Sequence, residues 1–211
     1  ALVDAGSAVR SHGAVGLAGQ TGEAPFDRRM RENAAAKRAI ARAVAAAIGD
    51  GASVMLDTGT TTSFIARELL RHRRLTVVTN SSDIARILAT VNGNRVYMAG
   101  GELRRDSGAA LGASALEFIG RFSVEHAVIS AGAVDAGGVM DFDLQEAEFA
   151  RAVLACGARR IVATDATKFG RRGFIRVTDF AQVDVLVTDR APPADLAAAL
   201  LAAGTDVMAS G

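Results

Sequence analysis

Asp57-Thr58-Gly59-Thr60-Thr61-Thr62 gathers a carboxylate, a glycine and four hydroxyls in six consecutive residues. The apolar-leaning Ser53 to Leu56 before it reads as a short buried strand, and Phe64, Ile65, Leu69 and Leu70 after it read as one face of a helix. A strand that turns tightly into a helix N-terminus points unpaired backbone N–H groups outward at the positive end of the helix dipole, which suits a phosphate. Threonine hydroxyls add donors, and Gly59 allows the backbone to approach an anion closely. The alternative is an ordinary strand-to-helix loop with threonine caps. The loop matches neither G-x-x-x-x-G-K-[ST] nor G-x-G-x-x-G, so it does not specify a nucleotide.

Stepping outward from this turn, strands and helices alternate along the chain. Residues 1–22 are rich in Ala, Gly and Ser without apolar periodicity and read as the tail of a preceding unit plus a linker, ahead of one domain over 23–211. Pro25-Phe26-Asp27 opens one long helix to about Ile48, with Asp27 as N-cap. Its apolar face carries Ile40, Val44, Ala47 and Ile48, and the rest is basic (Arg28, Arg29, Arg31, Lys37, Arg38, Arg42), a solvated face before it is an anion site. Further strands are expected at 75–79, 95–99, 127–130, 160–165, 183–187 and 206–208, with an edge strand near 174–177. Helices are expected at 61–72, 83–91, 112–120, 143–156 and from Pro192-Pro193 through Leu201, and a glycine-rich loop at 131–139. The pattern implies an α/β fold: a mostly parallel sheet with helices on both faces. Small and polar residues gather where its strands end: Thr79-Asn80, Gly100-Gly101, Ser130-Ala131-Gly132 and Asp165 to Lys168 join the opening turn. Open α/β sheets bind ligands at those carboxyl ends.

Composition narrows the partners. The 211 residues are half hydrophobic, yet no apolar run is long enough to span a membrane. Lys and Arg total 24 against 23 Asp and Glu, so no basic excess marks this domain as gripping DNA itself. His12, His72 and His126 are scattered with no metal-ligand spacing, and no metal or other cofactor is expected. The single Cys156 sits in an apolar helical run and reads as a buried small hydrophobe in a reducing cytoplasm.

In this order and spacing, the chain resembles the C-terminal sensor domain of DeoR-family bacterial transcriptional regulators. The matching pieces are Arg10-Ser11-His12-Gly13-Ala14, Pro25-Phe26-Asp27-Arg28-Arg29, Lys37 with Ile40-Ala41, Leu56 to Thr61, Val78-Thr79-Asn80 and Gly100 to Arg104. Thr164 to Gly170 and Val187-Thr188-Asp189 continue the set, which covers about residues 10–210. The resemblance implies a sheet similar to ribose-5-phosphate isomerase and glucosamine-6-phosphate deaminase, used to sense a phosphorylated sugar or polyol. It also implies a winged helix-turn-helix ahead of the sensor, of which residues 1–13 resemble the last wing and exit. Operator DNA would then be read through that head and not through this domain, by a homo-oligomer, dimer or tetramer. Ser130-Ala131-Gly132-Ala133-Val134-Asp135 departs from the family's G-x-G-G-[IV]-D run, and Ala133 is expected to narrow the sugar end of the pocket.

On this reading Thr58, Gly59, Thr60 and Thr61 hold the phosphate. A helix end contributes about 0.3–2 kcal/mol, whereas micromolar affinity needs about 8 kcal/mol. Lys168 is therefore expected to add charge, with Arg104 as a second cation. Asp57, Asn80 and Glu146 take sugar hydroxyls, beside Thr79, Gly100, Gly101 and Gly132 at the neighbouring strand ends. Two alternatives remain. A sugar-phosphate isomerase or deaminase would draw a general base from Asp135, Asp141, Asp143 or Glu146, but the acidic Asp-Gly-Ala-Asp-Glu and Lys-Gly-Gly-Gly loops of the isomerase are missing. A CoA-transferase-like subunit has less support still. The sensor, not an enzyme, is the reading adopted.

Overall fold

The computed structural model describes residues 8–11, 14–17 and 22–211. The expected wing remnant and linker over 1–22 lies for the most part outside the described residues. Within it, β1 (Ala8–Ser11) pairs antiparallel with β2 (Ala14–Leu17).

Seven strands form the main sheet: β3 (Ser53–Leu56), β4 (Thr76–Thr79), β5 (Arg95–Met98), β6 (Val124–Ile129), β9 (Gly157–Ala163), β11 (Val185–Thr188) and β12 (Asp206–Ala209). Every pairing in it is parallel, in the order β12-β11-β9-β6-β3-β4-β5. The helices that cover it are α2 (Ala34–Ala46), α3 (Thr60–Glu68), α4 (Ser82–Leu88), α5 (Ala113–Ile119), α6 (Leu144–Ala155) and α7 (Ala194–Ala203).

Alternation along each strand assigns the two faces. Val54, Leu56, Val77, Val128, Ile161 and Val185 pack with Ile40, Val44, Ile65 and Ile84 of α2, α3 and α4. Met55, Val78, Ala127, Ile129, Val162 and Leu186 point the other way, onto Ile119, Phe149, Val153 and Leu200 of α5, α6 and α7. Both faces are dry, which is why the strands read as continuous apolar runs. From β3 the chain steps outward through β4 and β5, then returns to β6 on the other side of β3 and steps out through β9, β11 and β12. The crevice between β3 and β6 is therefore the point where strand order reverses, where ligands bind in open sheets.

Three sequence expectations change. The stretch 131–139 is a hairpin, β7 (Ala133–Asp135) and β8 (Gly138–Asp141), joined through Gly138 at φ +126°. With β10 (Ile175–Thr178) it forms a separate three-stranded antiparallel sheet, so β10 does not edge the main sheet. Ala133 is fully buried within β7, paired with Met140, and does not narrow the pocket.

The long helix expected from Pro25 is two. α1 (Phe26–Arg31) starts from Pro25 rather than Asp27, and the chain breaks at Glu32-Asn33 before α2. Asn33 adopts φ +53°, a left-handed conformation that asparagine tolerates better than most residues. Lys37, expected to be solvated, is only 4% exposed. Its ammonium donates to the carbonyls of Arg29 and of Glu32 (2.9 Å), closing the C-terminal end of α1. Asn33 Nδ2 donates to Asp165 Oδ1 (3.3 Å) and Thr167 Oγ1 (3.2 Å), fastening the break to the end of β9. Apolar periodicity continues through the break, so periodicity alone does not reveal it. Asn33→Ala should lower stability in urea by about 1–2 kcal/mol, and Asn33→Gly, free of the Cβ conflict, by less. Equal losses from the two would show that the left-handed conformation is not what Asn33 supplies.

Candidate functional site

Asp57 follows β3 into the crevice and is 7% exposed. Its Oδ2 accepts the backbone N–H of Ser130 at the end of β6 (3.0 Å), while Oδ1 has no partner. Thr58 Oγ1 donates to Asn80 Oδ1 at the end of β4 (2.9 Å), and Asn80 Nδ2 donates to the carbonyl of Ala110 (3.0 Å). Three adjacent strand ends are thus stitched together by side chains of the opening turn and its neighbours.

Gly59 caps α3 in an extended conformation, φ −161°, so its backbone needs no glycine. What needs it is packing: a Cβ there would stand 2.0 Å from Ser130 Oγ. No side chain caps the first turn of α3, whose first backbone bond runs from Ser63 N–H to Gly59 C=O (2.9 Å). Thr62 instead turns its hydroxyl back onto the carbonyls of Asp57 and Gly59, both at 3.0 Å. A helix N-terminus left without a side-chain cap keeps its backbone donors for another acceptor.

A cavity of about 20 Å³, near the size of one ordered water, opens beside this turn. Its floor is Asp57, Thr58, Asn80 and Ser130; Asp141 and Glu146 form one wall, and Glu23 and Arg29 close it. Burial pushes the Asp57 carboxyl up to about 7 against the lowering effect of the Ser130 N–H. Burial and then the neighbouring Asp141 push Glu146 up to about 7, and burial raises Asp141 as well. At neutral pH Asp57 and Glu146 can both accept and donate hydrogen bonds, the mixed character that hydroxyls of a polyol complement.

Residues 32–190 match the family model of the DeoR C-terminal sensor domain. The chain belongs to that family. It is 35% identical over 196 residues, 92% of this chain and 75% of that protein, to the HTH-type transcriptional repressor CsqR of Escherichia coli K12. To the glycerol-3-phosphate regulon repressor of the same organism it is 32% identical over 186 residues, 88% of this chain and 74% of that protein. Among solved structures, eIF2B beta from Chaetomium thermophilum shares the fold at TM-score 0.51, with 19% identity over 76% of this chain and 52% of that one. A ribose 5-phosphate isomerase from Methanocaldococcus jannaschii overlaps at TM-score 0.49, with 15% identity over 67% of this chain and 56% of that one.

In this DeoR sensor domain the residues singled out in the sequence fall into three groups. Asp57, Thr58, Asn80, Gly132 and Glu146 line the cavity. Gly59, Thr60, Thr61 and Thr79 are buried directly behind it at the same strand ends. Gly100 and Gly101 are exposed beyond β5 and take no part in the lining. Both expected cations are already engaged. Arg104 grips Asp143 (2.9 Å), Glu146 (3.1 Å) and Gln145 (2.8 Å) at the N-terminus of α6, and Lys168 Nζ lies 2.5 Å from Glu23 Oε1.

Asp143 is the N-cap of α6, accepting from Gln145 and Glu146 N–H. Its burial is outweighed by Arg104, which brings its carboxyl below the usual range. Asp135 accepts from Gly137 N–H at the hairpin turn, outside the cavity. Glu23 and Arg29, which also line the cavity, carry no such signal in the sequence: Glu23 stands ahead of α1 outside any element, and Arg29 belongs to a basic face that reads as solvated.

The folded-state pKa of Asp57 is above the unfolded value of 3.8, so this carboxyl favours the folded state at low pH, an advantage lost as pH rises from about 4 to about 7. Asp57→Asn should therefore stabilise the fold at about pH 8, by at most about 4 kcal/mol, and the gain should shrink as pH falls towards 4. Urea unfolding across that range checks it; a difference independent of pH would show that Asp57 is not buried as a charge.

Proposed function

We propose that this domain senses a phosphorylated sugar or polyol at the β3–β6 crevice and passes the binding event to a DNA-reading head on its N-terminal side, as part of a homo-oligomeric repressor. The observation that carries the reading is the meeting of side chains from three adjacent strand ends, Asp57, Asn80 and Ser130, at one cavity, with the uncapped N-terminus of α3 following directly after its lining residue Thr58. The phosphate takes the free backbone N–H groups at the start of α3 with the Thr58 hydroxyl. Hydroxyls of the sugar take Asn80, Asp57, Asp141 and Glu146. A relative named for glycerol 3-phosphate supports a phosphorylated polyol.

A drug-sized or sugar-sized ligand needs roughly 300 Å³ or more, so a cavity of about 20 Å³ has to widen. That requirement is what makes the site a sensor: the ligand prefers the widened arrangement and shifts the population towards it, and a near-complete switch takes about a 10⁴-fold preference.

A thermal-shift screen of phosphorylated sugars against their unphosphorylated forms tests the reading. A binder at a hundredfold excess over its Kd should stabilise the fold by about 2.7 kcal/mol, only when phosphorylated, and Thr60→Glu should erase the response. Equal responses from both forms, or an unimpaired Thr60→Glu, would place the site elsewhere. Carboxyls poised near 7 also suit proton transfer, which is the one observation favouring an isomerase or deaminase; product formed above background from any stabilising sugar phosphate would select that reading.

A further inference from the structure

The cations nearest the cavity mouth are held by a carboxylate of the chain itself. Glu23 presents Oε2 to Arg29 and Oε1 to Lys168, one oxygen to each. All three side chains are largely buried: 13% of Glu23, 18% of Arg29 and 15% of Lys168 remain exposed. Arg29 comes from α1, with its guanidinium 5.6 Å over the Phe26 ring, and Lys168 comes from the turn after β9. Arg29 Nε is buried and has no partner, so the guanidinium has a donor still to satisfy. Glu23 and Arg29 line the same cavity as Asp57 and Thr58.

We propose that Arg29 and Lys168 complete the anion subsite that Thr58 and the start of α3 begin, and that Glu23 occupies their side of it as an internal substitute which the effector's anionic group displaces. The inference rests on the sugar-phosphate reading and names the regulation of that site. A carboxylate and a phosphate make the same charge-assisted bonds to a guanidinium and an ammonium, and a phosphate brings more charge and more oxygens. It would also meet the unused Nε donor.

The cavity's remaining walls cannot yield as easily. Asp57, Asn80 and Ser130 stand on strand ends tied by hydrogen bonds, and Phe149 is buried. Glu23 precedes α1 on a stretch outside any helix or strand, Gly22 to Pro25, and of its neighbours Gly22 and Pro25 are exposed. Its departure therefore widens the cavity without disturbing the sheet. Glu23 lies on the N-terminal side of the domain in sequence, so an exchange of carboxylate for ligand anion acts on the side where a DNA-reading head would be attached. The basic face of α1, read in the sequence as solvated, thereby contributes one residue to the site.

Titration calorimetry with inorganic phosphate at fixed ionic strength tests this on wild type, Glu23→Gln and Glu23→Gln/Arg29→Gln, with Glu23→Ala as a second form should the amide disturb folding. Removing the competing carboxylate should tighten phosphate binding at least about tenfold, and Arg29→Gln should abolish the gain. Equal affinity in wild type and both Glu23 variants, or a gain that survives Arg29→Gln, overturns the subsite. Should wild type respond to phosphorylated sugars while the Glu23 variants gain nothing, the sensor reading stands and the internal substitute alone fails. No binding of phosphate or of any phosphorylated sugar by any form defeats both.

Discussion

Asp57 accepts the Ser130 backbone N–H at 3.0 Å, and through that bond the carboxyl ends of β3 and β6 are held together where strand order reverses. The two ends come so close that residue 59 cannot carry a side chain, since a Cβ would overlap Ser130 Oγ. Position 59 also leaves the first turn of α3 uncapped. One contact between two strands thus accounts for the buried carboxylate, the obligatory glycine and the free helix terminus. It is a costly arrangement. A carboxyl raised to about 7 by burial, with one oxygen unpartnered, weakens the fold at neutral pH, and such a group is kept most readily where a ligand completes it.

Around this rigid floor the charges are divided. The walls are acidic, with Asp141 and Glu146 both pushed upward by burial, while the cations Arg29 and Lys168 sit at the closing side and are neutralised by Glu23. A ligand with hydroxyls and an anion matches this division, its hydroxyls on the carboxyls and its anion between the start of α3 and the cations. On that side α1, with Arg29, joins α2 through a left-handed residue, Asn33, whose side chain bonds to the end of β9. Floor and closure are therefore mechanically distinct, which a domain that reports binding requires.

Much of this was legible beforehand. The order of strands and helices, the parallel sheet and the strand-to-helix turn at Asp57 follow from apolar runs punctuated by Gly, Thr, Asn and Asp, because both faces of the sheet are buried and the turns need those residues. The helix expected over 143–156 is likewise α6, capped by Asp143. Three things were not. The break at Asn33 is one backbone conformation inside an unbroken helical period. The reach of Lys168 to Glu23 spans 145 positions and has no local signature. The β7–β8 hairpin was masked by its glycines, which read as loop although Val134 and Val139 pack into the core.

The account stands or falls on whether an oxyanion docks on the backbone donors where β3 turns into α3. Amide NMR of the domain, titrated with a stabilising phosphorylated sugar and with its unphosphorylated form, reads this directly. The Gly59, Thr60 and Thr61 amides should shift strongly downfield with the phosphorylated ligand alone, as charge-assisted hydrogen bonds form. If the ligand binds and those amides stay in place while others move, the turn is not the phosphate site and the account is wrong.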